Sequence, residues 1–326
     1  MTAHGNNEHC PIEFLNVSFA YPGEEGPPGG TPEQAPDTPA DTATAPPTDT
    51  ATALPADPPT DPSATPPADT AAEPAPLFTG LTLKLPPGLT FMVGPNGIGK
   101  STLMLLAAAR LFPTAGEIRI FGEPTLRFLD AALDPEVEEY RNQLVSFVYQ
   151  NMEFETELPL GEVLEMVAGN SVDESAAGKH FREVVAAADL TDRLTARMQE
   201  LSKGEMQRGI IAMSLLYGSP IIMMDEPVFA VEPHRAEALF EYLRSTCRER
   251  ALSIYTSVHD VRLAQQFADA VVLMHADGLI EAGDSELLLA RDRLEQAFKA
   301  PWDTLYRRQS LYRELLNRGG DEPSDS

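Results

Sequence analysis

Residues 94–101 read Gly94-Pro95-Asn96-Gly97-Ile98-Gly99-Lys100-Ser101 and lie between a short apolar segment and a segment of helix-forming residues. They fit the pattern G-x-x-x-x-G-K-[ST], in which glycines let backbone N–H groups turn inward around phosphate oxygens. The positive end of the following helix points at the same anion. The lysine adds a point charge for the β- and γ-phosphates, and the serine hydroxyl can bind Mg²⁺. This stretch therefore predicts a phosphate-binding loop made by Gly94, Pro95, Asn96, Gly97, Gly99, Lys100, Ser101 and Thr102.

A second motif is an apolar run over residues 221–224 that ends in two carboxylates, Asp225 and Glu226. A continuous apolar run of this length is typical of a strand buried on both faces. In a chain with a phosphate-binding loop, a carboxylate at the end of such a strand can hold Mg²⁺ through water, and we assign this role to Asp225. We expect Glu226 to polarise the water that attacks the phosphate.

Outward from these motifs, strand patterns alternate with helix patterns. Alternating or continuous apolar runs predict strands over residues 12–21, 77–85, 89–93, 116–122, 144–149, 221–224, 253–257 and 270–275. Helical patterns predict helices over residues 101–112, 162–167, 176–188, 205–217, 235–250 and 261–267. Strands that alternate with helices indicate an α/β fold with a mainly parallel sheet and crossover helices.

Residues 24–76 differ in composition from the rest of the chain. They are nearly all Pro, Ala, Thr, Asp, Glu and Gly, with ten acidic residues and no Lys or Arg. Such a segment has almost nothing to bury, so we expect it to be disordered. Because predicted strands flank it on both sides, we expect it to be a long insertion in a β-hairpin. Loop-closure cost grows only logarithmically with length, so this insertion is compatible with a stable fold.

Charge and composition exclude several classes of protein. The 326 residues include 50 acidic and 24 basic side chains, a formal net charge of −26. This charge argues against direct binding to nucleic acid or anionic lipid, since both need clustered Lys and Arg. The two cysteines, Cys10 and Cys247, do not make a disulfide framework and fit a reducing compartment. With no signal-peptide pattern and no apolar run of about 18 residues, the sequence predicts a soluble, cytoplasmic protein.

A third motif makes the pattern specific. Residues 201–208 read Leu201-Ser202-Lys203-Gly204-Glu205-Met206-Gln207-Arg208, which resembles the LSGGQ signature of the ATP-binding cassette (ABC) family. The resemblance covers essentially the whole chain outside the insertion, with every family motif in order. It implies a P-loop core with a mainly parallel sheet, an antiparallel β subdomain and a helical subdomain over residues 151–203. We expect one such domain over residues 1–318 and a disordered tail over residues 319–326.

The resemblance also implies roles for residues outside the phosphate-binding loop. Tyr21 is placed like the aromatic residue that stacks on adenine. Gln150 matches the Q-loop glutamine, and His259 matches the switch histidine that contacts the γ-phosphate. Ser202 and Gly204 match the signature residues that contact the γ-phosphate. The implied ligands are ATP and Mg²⁺; the implied catalytic residues are Glu226, His259 and Gln150, and the implied Mg²⁺ ligands are Ser101, Gln150 and Asp225.

The chain departs from the family pattern at three places. Lys203 replaces the first glycine of the signature, and Glu205 replaces its glutamine. Residues 229–232, Phe-Ala-Val-Glu, stand where the family usually has Ser-Ala-Leu-Asp, so the carboxylate of this D-loop is one methylene longer. None of these changes removes the lysine, the two carboxylates or the histidine, so the sequence predicts an active ATPase.

The resemblance implies two kinds of partner. In this family the signature of one cassette faces the phosphate-binding loop of another, which implies a head-to-tail homodimer with two ATP molecules at its interface. A cassette without a membrane span is most often the motor subunit of a transporter whose channel is another protein. We therefore expect integral membrane permease subunits as partners and a location at the inner face of the cell membrane.

Two other functions remain open from the sequence. One is a soluble cassette that works without a membrane partner, for example in iron–sulfur assembly. The other is a regulatory cassette that binds ATP with little turnover, which Glu232 would permit. The cargo and its direction of movement are poorly encoded, although residues 287–302 are faintly similar to the tails of importers of iron chelates and cobalamin.

Overall fold

The computed structural model of the protein describes residues 10–21, 76–150, 156–172 and 178–304. All of these except Tyr21 belong to one compact unit, formed by parts of Met1–Ala20 and Pro76–Ser326. Tyr21 belongs to a second unit, Tyr21–Ala75, whose other residues lie outside the described part of the chain. The predicted insertion, apart from Pro76, and the predicted tail also lie outside it.

The described residues form ten strands in two sheets. The strands are β1 (Ile12–Phe19), β2 (Phe78–Leu85), β3 (Leu89–Val93), β4 (Ala115–Ile120), β5 (Glu123–Pro124), β6 (Val145–Val148), β7 (Ile221–Asp225), β8 (Ser253–Ser257), β9 (Ala270–Met274) and β10 (Ile280–Asp284). The larger sheet has the order β10-β9-β3-β8-β7-β6, and its strands are parallel except for β10. The smaller sheet is antiparallel, in the order β2-β1-β4-β5.

Nine α-helices connect and cover the strands among the described residues. They are α1 (Lys100–Ala107), α2 (Pro135–Leu144), α3 (Leu160–Gly169), α4 (Lys179–Ala187), α5 (Lys203–Tyr217), α6 (Pro233–Arg250), α7 (Val261–Phe267), α8 (Ser285–Leu288) and α9 (Arg291–Phe298). Helices α3 and α4 pack on α5 and make up the described part of the predicted helical subdomain. The predicted α/β fold, with a parallel core, an antiparallel sheet and a helical part, is confirmed.

The core lies on both faces of the larger sheet because side chains of a strand alternate between faces. On β3, Phe91 and Val93 belong to a cluster with residues of α5, α6 and α7, and the rings of Phe91 and Phe240 lie 5.1 Å apart. Met92, between them, belongs to a second cluster with α1 and the antiparallel sheet. Strand β3, which leads into residues 94–101, is therefore fixed from both sides.

Strands β1 and β2 pair as predicted. Ile12 is opposite Leu85, and Phe19 is opposite Phe78. The N–H of Leu77 also donates to the carbonyl of Phe19 at 2.8 Å. The two ends of the segment that joins these strands therefore lie side by side on the antiparallel sheet.

Several predicted elements differ in extent, and the sequence did not predict α2, α8, α9, β5 and β10. The helix predicted to Phe112 ends at Ala107, because Ala109 takes a left-handed backbone with φ of +52°. Helix α2 was missed because Arg141 is its one buried residue and four of its ten residues are charged, so it carries little apolar periodicity. Its start signal, Asp134 as N-cap before Pro135, was readable in the sequence. The edge strand β10 was missed because its sequence, Ile-Glu-Ala-Gly-Asp, has little strand propensity.

Candidate functional site

The predicted phosphate-binding loop joins the end of β3 to the start of α1. Gly97 and Gly99 have φ of +76° and +103°, a backbone region that side chains rarely adopt. A Cβ atom at Gly97 would meet nothing within 4 Å, so open space lies over this part of the loop. A Cβ atom at Gly94 would come 2.5 Å from the carbonyl oxygen of Met274, so this glycine allows β3 and β9 to pack closely. The loop is thus a backbone cradle before a helix N-terminus, which suits phosphate oxygens.

Lys100 is held inside this loop and is only 8% exposed. Its Nζ donates to the carbonyl oxygens of Gly94 at 2.9 Å and Pro95 at 3.0 Å. Burial lowers the pKa of Lys100, and the nearby carboxylates of Glu226 and Asp225 offset part of this effect. The ammonium group is therefore bonded within the loop and is influenced electrostatically by the acidic pair.

Asp225 ends β7, Glu226 follows it, and Ser257 ends the neighbouring strand β8. Asp225 is paired with Ser257 in the sheet register. The Ser257 hydroxyl donates to Oδ1 of Asp225 at 2.5 Å and accepts from the N–H of Glu226 at 2.9 Å. One hydroxyl therefore fixes both acidic residues at the carboxyl end of the sheet.

The Glu226 carboxylate lies between the two other predicted catalytic residues. Nε2 of Gln150 donates to Oε2 of Glu226 at 2.6 Å, and Nε2 of His259 lies 2.7 Å from Oε1. The backbone of Glu226 is left-handed, with φ of +51°. This conformation is uncommon for a residue with a side chain and is held here by the bond to Ser257. The predicted catalytic residues are thus brought together.

The signature residues begin helix α5. Ser202 is its N-cap: its hydroxyl accepts from the N–H of Glu205 at 3.2 Å, and the Glu205 carboxylate accepts from the N–H of Ser202 at 2.8 Å. Glu205 also pairs with Arg193 at 2.6 Å. Burial alone raises the pKa of Glu205, but the hydrogen bonds from Ser202 and Arg193 outweigh it and leave the pKa below its ordinary value. Lys203 is exposed in the first turn of the helix.

The signature lies against the D-loop, residues 229–232. A Cβ atom at Gly204 would come 2.5 Å from the carbonyl oxygen of Ala230, so only a glycine fits this approach of the two backbones. Glu232 caps α6, and its carboxylate pairs with Arg235 at 3.0 Å. The hydroxyl and the N–H of Ser202 form their hydrogen bonds with Glu205 of the same helix.

Tyr21, predicted to stack on adenine, lies two residues beyond the end of β1 and is 49% exposed. Its role in stacking on adenine stays a prediction. Sequence reasoning gave no role to Ser257, although it lies two residues before His259. The signal was available: in a parallel sheet the ends of adjacent strands meet at one edge, so the last residue of β8 lies beside Asp225.

Comparison with known proteins agrees with this geometry. The family model described as ABC transporter matches residues 78–229. The phosphonates import ATP-binding protein PhnC of Thiobacillus denitrificans is 30% identical over 244 residues, which are 71% of this chain and 87% of that protein. The chain belongs to the ABC transporter family. It is an ATPase and an ATP-binding subunit of the transporter type, as the sequence predicted.

Other relatives of this ABC ATPase carry different names. The lipoprotein-releasing system ATP-binding protein LolD of Geobacter metallireducens is 33% identical over 62% of this chain and 88% of its own length. The hemin import ATP-binding protein HmuV of Escherichia coli O157:H7 is 30% identical over 69% of this chain and 87% of its own length. The HmuV match is consistent with the predicted similarity to importers of iron chelates.

The fold of this ABC ATPase matches solved cassettes. A dimeric ATP-binding cassette in a post-hydrolysis state, bound to ADP and phosphate, aligns with a TM-score of 0.58 over 84% of this chain and 98% of that one. The two sequences are 19% identical, so this likeness concerns the fold. Within the described residues, no helix has the length and apolar character needed to cross a membrane.

Proposed function

We propose that this ABC ATPase hydrolyses ATP at the interface of a head-to-tail homodimer and powers a separate membrane permease. The observation that carries the proposal is the Glu226 carboxylate, which is contacted by Gln150 and His259 close to Lys100. A carboxylate held in this way, beside a phosphate-binding loop, is suited to polarise an attacking water molecule.

In the proposed reaction the loop and Lys100 bind the β- and γ-phosphates. Glu226 polarises a water molecule and accepts its proton, the water oxygen forms a bond to the γ-phosphorus, and the bond from that phosphorus to the β–γ bridging oxygen breaks, so that ADP leaves with the electron pair. His259 contacts the γ-phosphate and, through its 2.7 Å contact, orients Glu226. Catalysis of phosphoryl transfer consists mainly of positioning the reactants and stabilising the charge on the phosphate oxygens. In this proposal Glu226 and His259 supply the positioning, and Lys100 supplies the positive charge.

The residues present fit a Mg²⁺ ion. Ser101, Asp225 and Gln150 offer a hydroxyl, a carboxylate and an amide oxygen, which are the hard oxygen donors that Mg²⁺ prefers. Gln150 contacts Glu226 through Nε2, so its amide oxygen is not engaged in that bond. When bound, Mg²⁺ would neutralise charge on the phosphate oxygens.

The homodimer is proposed from the signature. Ser202 and Lys203 are exposed at the start of α5, whose N-terminal end favours an anion. In the proposed dimer, Ser202 and Gly204 face the γ-phosphate bound by the second copy, and Tyr21 of each copy stacks on its own adenine. The likeness in fold to a dimeric cassette supports this arrangement.

The permease partner and a location at the inner face of the cell membrane are supported by the names of the relatives, two of which are import proteins. A non-transport cassette is not favoured by these comparisons. The names of these relatives refer to phosphonates, lipoproteins and hemin, and their sequence identities to this chain are nearly equal. The comparisons therefore do not favour one cargo over another.

The dimer is tested by measuring molecular mass in solution, by light scattering, with and without ATP. The Glu226→Gln variant should retain ATP and shift from monomer to dimer, because the phosphate contacts stay while the charge that polarises water is lost. Glu241→Gln, an exposed change on α6, is the matched control and should behave as the parent. A Glu226→Gln protein that stays monomeric with saturating ATP would contradict the proposal.

A further inference from the structure

A set of ion pairs connects the signature helix to the helix that follows the D-loop. Oδ2 of Asp189, just after α4, lies 3.0 Å from Nη1 of Arg208 on α5 and 2.9 Å from Nε of Arg235 on α6. Arg235 also pairs with Glu232 of the D-loop at 3.0 Å. One carboxylate oxygen therefore contacts cations from two different helices.

Arg208 connects this carboxylate to the signature backbone. Its side chain is only 2% exposed. Nη1 also donates to the carbonyl oxygens of Ala188 at 2.9 Å and Asp189 at 3.0 Å, and Nε donates to the carbonyl oxygen of Gly204 at 3.3 Å. A buried guanidinium needs a nearby anion, and Asp189 is the acidic partner that the described residues give it.

Arg235 connects the same carboxylate to the D-loop. It lies in the first turn of α6 and contacts both Asp189 and Glu232, the D-loop residue that caps this helix. The backbones of Gly204 and Ala230 approach each other nearby. The signature and the D-loop are thus joined at two points: a direct backbone approach and a chain of ion pairs through Asp189.

We infer that Asp189 is a positioning residue that makes the signature and the D-loop move as one unit. Only the expected effect on turnover depends on the proposed dimer. In that dimer both the signature and the D-loop would contact the second copy, so a displacement of one segment would displace the other. Asp189 would then correlate the contact at the γ-phosphate with the contact at the D-loop.

A purely stabilising role makes a different prediction. The pair of Asp189 (61% exposed) with Arg235 (36% exposed) contributes little to the free energy of unfolding. The pair of Asp189 with the buried Arg208 contributes more, so a purely stabilising role predicts faster exchange throughout the unit when the Asp189 charge is removed. The backbone of Asp189 is left-handed, with φ of +52°. Asn tolerates this conformation well, so Asp189→Asn removes the charge without straining the turn.

The experiment measures hydrogen exchange of backbone amides in the monomer without nucleotide. In Asp189→Asn we expect exchange about tenfold faster both at residues 202–206 and at residues 228–232, with unchanged exchange in the central strands. Arg235→Gln should have the same effect at both segments, and the double variant should add little, because the inferred coupling passes through the contact between Asp189 and Arg235. Asp192→Asn, an exposed carboxylate of the same region, is the matched control and should change neither segment.

Turnover supplies the second measurement. Asp189→Asn should lower kcat severalfold with little change in nucleotide affinity of the monomer, and Arg235→Lys should retain more activity than Arg235→Gln. Faster exchange at residues 202–206 alone, or at every segment equally, would overturn the inference. A parent protein that never dimerises with ATP would contradict the proposed function, while the exchange result in the monomer would still decide the role of Asp189.

Discussion

Nε2 of His259 lies 2.7 Å from Oε1 of Glu226, although the two residues follow different strands of the sheet. The strands β7 and β8 are adjacent and parallel, so their carboxyl ends meet at one edge. Glu226 has a left-handed backbone at this edge, and its carboxylate contacts both His259 and Gln150. The site therefore depends on the placement of common residues at the carboxyl ends of adjacent strands.

The first prediction separates nucleotide binding from hydrolysis. Lys100→Ala should weaken ATP binding by tenfold or more, because it removes the buried ammonium of the loop. Glu226→Gln should leave ATP binding within about threefold of the parent and lower kcat by a hundredfold or more. Titration with a fluorescent ATP analogue and a phosphate-release assay measure the two effects. Equal turnover by the Glu226→Gln variant and the parent would favour a regulatory cassette.

The second prediction concerns Ser257. Ser257→Ala removes the hydroxyl that contacts both Asp225 and the N–H of Glu226, so the acidic pair loses its common support. We expect kcat to fall about tenfold or more, with ATP affinity nearly unchanged, and the free energy of unfolding to fall by about 1–2 kcal/mol. Steady-state kinetics and urea unfolding measure these changes.

A matched hydroxyl deletion provides the control for Ser257. Among the described residues, the hydroxyl of Ser245 donates to the carbonyl oxygen of Tyr242 in its own helix and contacts no residue of the site. Ser245→Ala should therefore leave kcat unchanged. If Ser257→Ala keeps full kcat, Ser257 has no part in positioning the carboxylates.

Much of the fold and the site was predictable from the sequence because the decisive patterns are local. The phosphate-binding loop and the strand that ends in Asp225 each depend on residues close in the chain, and the role of His259 follows from the resemblance to the ABC family. The contacts of Asp189 with Arg208 and Arg235 were not predictable, because they join residues 19 and 46 positions apart on three elements. Charged residues at such separations carry no periodic signal.

The third prediction uses the charge of Glu205. The lowered pKa of Glu205 means that its ionised form stabilises the folded state above the ordinary pKa of 4.5, and that this contribution is lost as the pH falls through the lower, folded-state pKa. Glu205→Gln keeps an acceptor for the N–H of Ser202, since glutamine also fits a capping box. The variant should be less stable than the parent at pH 7, and the difference should shrink at acid pH.

Urea unfolding at several pH values tests this prediction for Glu205. Arg193→Gln removes the other member of the pair and should give a similar loss at pH 7. In the Arg193→Gln background, the further change Glu205→Gln should matter less. A stability difference between parent and Glu205→Gln that stays constant from neutral to acid pH would contradict the ionic role.

The fourth prediction concerns Lys203, which is exposed in the first turn of the signature helix. In the proposed dimer this cation lies near the γ-phosphate bound by the second copy. At an effective dielectric constant of 20 and a distance of about 8 Å, one charge pair contributes roughly 2 kcal/mol before screening. Lys203→Gln should therefore weaken ATP-driven dimerisation about tenfold at low salt, whereas Lys203→Arg should not.

The response to salt tests this role of Lys203. Salt screens exposed charges, so the difference in dimer affinity between Lys203→Gln and the parent should narrow at about 0.5 M salt. Equal dimer affinities of the parent and Lys203→Gln at low salt, measured by sedimentation, would show that Lys203 only points into solvent.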